Sequence, residues 1–178
     1  SLVHLLSLKH LVQIDLPQAF VNDTAFQYLG SMNNLKAVYN HSGTAYCNSY
    51  RMDHVTDNGL SLLLRNRNLE HIGFQGLYRI TDRGFSYFKN MTQLKTLYTH
   101  CWSGITDQAL LSLEGCTSLE TLYFIESNIS DAGLNNLLSI KHTLPNLKII
   151  YLNYSKATVT GVTNFVNSWG KYIQVIYK

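Results

Sequence analysis

Residues 94–124, LKTLYTHCWSGITDQALLSLEGCTSLETLYF, carry two periodicities in succession. Leu94, Leu97 and Thr99 open the stretch, and the last two lie two residues apart, on one face of a short strand. Ile105-Thr106-Asp107 follows, leading into Ala109, Leu110 and Leu113 at the three- and four-residue spacing of an amphipathic helix. Leu119, Leu122 and Phe124 then restore the strand spacing. Strand, turn, helix and strand therefore fit within one short unit.

Outward from this stretch the unit recurs. The helix-start tag appears as Val21-Asn22-Asp23, Val55-Thr56-Asp57, Ile80-Thr81-Asp82, Ile105-Thr106-Asp107, Ile129-Ser130-Asp131 and a degraded Val159-Thr160-Gly161. The strand tag appears as Leu11/Ile14/Leu16, Leu35/Val38/Asn40, Leu69/Ile72/Phe74, Leu94/Leu97/Thr99, Leu119/Leu122/Phe124 and Leu147/Ile150/Leu152, with a looser Tyr172/Val175/Tyr177. Thr and Asp suit a helix N-cap, and Gly59, Gly84 and Gly133, with Ala25 and Ala109 as equivalents, keep each helix start thin. One strand and one helix cannot enclose a core alone, but stacked copies can. The pattern predicts an α/β solenoid with a parallel concave sheet of about seven strands, at 11–16, 35–40, 69–74, 94–99, 119–124, 147–152 and 172–177, and convex helices. Residues 40–54 and 138–146 are insertions, expected on surface loops.

Composition narrows the function classes. Charged residues make up 14% of the chain, too few for a disordered segment, and the net charge of +3 is spread rather than gathered into a phosphate-tracking patch. No apolar run reaches the ~18–20 residues of a membrane-spanning helix. Cys47, Cys101 and Cys116 are too few for a disulfide framework, which predicts an intracellular, reducing compartment. No phosphate-loop, dinucleotide, hydrolase-elbow or zincin motif occurs, and no cofactor is expected. Five N-x-[ST] tripeptides are expected by chance in a chain this rich in Asn, Ser and Thr.

The repeat resembles leucine-rich repeats, specifically the cysteine-containing subclass of F-box substrate receptors, over nearly the whole chain. ITDQALLSLEGCTSL (105–119) matches the second half of that consensus, and Cys116 falls on its second cysteine. Leu77 and Trp102 hold the place of its first, with Cys101 one residue early. The resemblance implies a right-handed leucine-rich repeat solenoid forming one domain over 1–178, with a degraded capping repeat at 159–178 and an N-terminal cap or F-box segment lying upstream. It also implies a protein partner, through the substrate-receptor part of a cullin-type ubiquitin ligase. The alternative is a constitutive scaffold subunit of a larger, even mitochondrial, complex.

Strand alternation places one residue of each copy in a row on the concave face: Asp15, Tyr39, Gly73, Tyr98, Tyr123, Tyr151 and Ile176. Four tyrosines about 4.8 Å apart per strand step are either a stabilising ladder or a binding surface, and an open sheet face favours the latter. Tyr39, Tyr98, Tyr123 and Tyr151, with His71 and His100 beside them, are thus the expected partner-binding residues. Lys36, Glu70, Lys95, Glu120 and Lys148 alternate in charge along another row and read as cross-strand pairs. His41, His71, His100 and Cys101 suggest a metal or hydrolase site, but no acidic residue shares their rows save the distant Asp15. The expectation is therefore no catalytic and no metal role.

Overall fold

The computed structural model describes residues 7–8, 10–40, 52–170 and 172–177. Seven parallel strands lie in one sheet in sequence order: β1 (Gln13–Asp15), β2 (Ala37–Tyr39), β3 (His71–Gln75), β4 (Thr96–His100), β5 (Thr121–Ile125), β6 (Ile149–Tyr151) and β7 (Gln174–Ile176). Helices α1 (Asp23–Gly30), α2 (Asp57–Leu63), α3 (Asp82–Phe85), α4 (Asp131–Ser139) and α5 (Val159–Trp169) alternate with them. The helical segment Asp107–Leu113 is 3-10 throughout, and α3 continues as a 3-10 turn, Ser86–Phe88. Apolar spacing predicted a helix in both places and the structure tightens it. Insertion residues 41–51, with Cys47 and His41, lie outside the described residues.

The core runs between sheet and helices as one continuous stack. Val38, Ile72, Leu97, Leu122 and Ile150 come from the strands, and Phe26, Leu60, Phe85, Leu110, Leu134 and Phe165 from the helical side. Trp102, buried where the resemblance places a cysteine, sets its ring edge-on to Phe85 and donates from Nε1 to the Phe74 carbonyl at 2.9 Å. Cys116 donates to the Phe88 carbonyl, and Asn66, at the equivalent place, donates to the carbonyls of Met32 and Leu35. These donors satisfy buried carbonyls of the preceding copy, as buried backbone requires.

The helix-start tag does more than cap its own helix. Thr56, Thr81, Thr106, Ser130 and Thr158 are the N-caps, and each accepts a backbone N–H from its own first turn. The Asp that follows turns instead to the next copy. Asp23, Asp57, Asp82, Asp107 and Asp131 each accept the backbone N–H of the next N-cap residue at 2.7–2.8 Å. The other carboxylate oxygen takes that residue's hydroxyl at 2.5–2.7 Å. Five such clasps run along the helix side.

This ladder explains one sequence expectation and corrects another. The glycines are small because a Cβ at Gly59, Gly84, Gly133 or Gly161 would enter the preceding copy's Asp carboxylate. The last tag also shifts by two residues. Thr158 is its N-cap and Gly161 its small residue, so Val159, 65% exposed, replaces the Asp.

Candidate functional site

The expected row forms on the sheet face away from the helices. Pairing aligns Asp15 with Tyr39, Tyr39 with Gly73, Gly73 with Tyr98, Tyr98 with Tyr123, Tyr123 with Tyr151, and Tyr151 with Ile176. The Tyr39 ring leans over Gly73, where a Cβ would lie 2.8 Å from Tyr39 Cδ1. Tyr98 and Tyr123 sit 5.3 Å apart at 54°, and Tyr123 stacks on Tyr151 at 4.3 Å and 4°. All four tyrosines are half-buried. Burial raises the phenol pKa of Tyr39, Tyr98 and Tyr123, so these three keep their hydroxyl protons. Stacking covers the facing sides of Tyr123 and Tyr151.

His71 is half-buried at the start of β3 and pairs in register with Thr96. His100, by contrast, has only 8% of its side chain exposed. Its Nδ1 lies 3.4 Å from the Tyr98 hydroxyl and its Nε2 lies 3.4 Å from Glu126 Oε1. Glu126 is not on a strand, so strand alternation does not place it. It occupies the residue after β5, where φ is 49°, as Cys101 occupies the residue after β4, at φ 61°. Gly76 directly follows β3 with φ 77°, and Tyr154, three residues past the end of β6, holds the corresponding repeat position with φ 58°. This recurrent left-handed turn at the strand end was the missing signal.

Cys101 adjoins this pair: one ligand atom each from His100, Cys101 and Glu126 lie within 4.8 Å of one another. Cys101 is buried and disulfide-bonded, while Cys116 is a free, buried thiol whose pKa desolvation pushes up to about 11. The cysteine count therefore lends no support to a reducing compartment. A hydrolase using Cys101 has no nucleophile here, since a disulfide sulfur is not a thiolate.

At the opposite ends of the strands, Glu70 bridges Lys36 and Lys95 at 2.6 Å each, and Lys148 reaches Glu120 at 3.3 Å. Hydrogen bonds from the two ammonium groups hold the Glu70 carboxyl at about 2. These are the cross-strand pairs that the alternating row predicted. Lys36 and Glu70 also line a surface hollow of about 410 Å³ with His10, Asn34 and Gln93. No helix among the described residues is long and apolar enough to cross a membrane.

An in-register parallel sheet, one helical segment per strand and a polar clasp between copies define a leucine-rich repeat solenoid, and solved structures agree. An internalin from Listeria monocytogenes superposes with a TM-score of 0.59 at 18% identity, covering 96% of this chain and 47% of its own. A Bacteroides fragilis protein gives 0.52 at 14%, covering 93% and 40%. The yeast Rad7–Elc1 complex gives 0.50 at 16%, covering 88% and 44%. The chain thus spans under half the length of these matching chains. No family model and no curated protein matches its sequence.

Proposed function

We propose that the chain is a non-enzymatic recognition module whose open sheet face binds a protein partner. The observation that carries this reading is the in-register tyrosine row on the face without helices. Tyrosine combines a large apolar area with a hydroxyl and few rotatable bonds, the combination enriched in interface hot spots. Neighbours of the same fold include one solved as a protein complex, Rad7 with Elc1, which supports a protein partner. The finer assignment is the cysteine-containing subclass and the substrate-receptor role in a cullin-type ubiquitin ligase, resting on Cys116 and the ITDQALLSLEGCTSL match. A scaffold subunit is the alternative, distinguished by a permanent stoichiometric partner.

A paired pull-down tests this. The baits are the wild-type chain and Tyr98→Ala/Tyr123→Ala, matched for folding by circular dichroism and read by quantitative mass spectrometry. Loss of a partner from the variant alone supports the open face, and ligase subunits among the co-purifying proteins support the receptor role. Identical recoveries would reduce the tyrosines to a structural ladder.

A further inference from the structure

We propose that His100, Glu126 and Cys101 form a zinc site that becomes available when the Cys101 disulfide is reduced. A charge-assisted hydrogen bond between imidazole and carboxylate closes to about 2.7–2.9 Å, whereas Nε2 and Oε1 stand 3.4 Å apart. Two ligands each ~2.0–2.1 Å from zinc at a tetrahedral angle are separated by about 3.4 Å. The Tyr98 hydroxyl at Nδ1 supplies the outer partner that orients a ligating imidazole and leaves Nε2 for the metal. Nitrogen, oxygen and sulfur donors are the set zinc selects.

Sulfur is the ligand that has to move. A thiolate on the same ion would stand about 3.6 Å from its neighbours, while the three donor atoms are spread within 4.8 Å with Cys101 tied in its disulfide. A dithiol reductant transfers two electrons and two protons to that bond, giving two thiols and its own disulfide. The freed Cys101 then rotates toward His100, and zinc replaces the thiol proton, which leaves to solvent. Tyr154 shares the left-handed backbone, yet the only group of three such donors among the described residues is His100, Cys101 and Glu126. What sets the β4 and β5 ends apart is that His100, Cys101 and Glu126 meet there.

The test titrates zinc against a chromophoric chelator, using oxidised chain and chain reduced with dithiothreitol and desalted without air. One zinc per chain, bound at least tenfold more tightly after reduction, is expected. Cys101→Ser, His100→Asn and Glu126→Gln should each lose that tenfold, while Cys116→Ala keeps it. Cobalt in the reduced wild-type chain should give thiolate charge-transfer and tetrahedral bands, a readout independent of whether any variant folds. Equal affinity in both redox states, loss of binding in Cys116→Ala alone, or cobalt spectra without thiolate bands would overturn the site.

Discussion

Asp131 and Gly161 show how one residue pair carries the repeat. The Thr158 backbone N–H and hydroxyl hold the Asp131 carboxyl below its usual pKa. A Cβ on Gly161 would meet three atoms of that carboxyl group. Helix propensity alone makes Gly→Ala stabilising by about 1 kcal/mol. Here Gly161→Ala should destabilise, and in an Asp131→Ala background it should turn neutral or stabilising, as urea melts of the double-mutant cycle would report. Sequence spacing marked both residues but not their meeting, because the clasp joins different copies. It also misplaced the last tag, since Thr160 and Thr158 are both plausible caps and only the Asp131 bond chooses. Cys116 yields a second expectation: with its pKa near 11 and its side chain buried, it should resist iodoacetamide in native buffer and react on unfolding. Rapid alkylation of the folded chain at Cys116, read by peptide mass, would contradict its place in the core.

Strands and their rows were the most legible elements. Period-two alternation fixes which residues share a face once parallel strands stack in phase, so the tyrosine and charge rows followed directly. The strands themselves are shorter than the tags: β2 begins at Ala37, two residues inside the predicted 35–40. Before that point Leu35 folds inward from a turn, with its N–H on the Met32 carbonyl. The His100–Glu126 contact was not legible, because it depends on a left-handed residue that reverses alternation at the strand end. The Lys36–Glu70–Lys95 row makes a pH prediction. Glu70 titrates at about 2 when folded against an ordinary 4.5, so its contribution is complete above about pH 4.5. It disappears as pH falls through about 2. The urea midpoint should therefore drop between pH 5 and 2.5, and Glu70→Gln should start lower at pH 6 with a shallower drop. Parallel wild-type and variant curves would assign the acid sensitivity to other carboxylates, Asp131 and Glu114 among them.

At the scale of the whole molecule, three recurrent contacts among the described residues join neighbouring copies: strand to strand, Asp to the next cap, and buried side-chain donor to the preceding carbonyl. Stability of such an array is approximately a sum of unit and nearest-neighbour terms. A unit cut out in phase should therefore leave its flanks able to rejoin. Removing residues 107–130 joins Thr106 to Asp131, preserving the Thr-Asp tag and leaving Asp82 to clasp Thr106 and Asp131 to clasp Thr158. β4 would then pair with β6, stacking Tyr98 beside Tyr151. This shortened chain should fold cooperatively, with a urea m-value reduced in step with the surface it no longer buries. Removing only 107–118 breaks the phase: it joins Thr106 to Leu119, leaves Ser130 without its Asp107 clasp, and strips one core layer of Leu110 and Leu113. That chain should lose its cooperative transition. If both deletions unfold alike, stability is shared over long range and the nearest-neighbour account fails. If only the out-of-phase cut unfolds, the period read from the sequence is the unit in which the molecule is built.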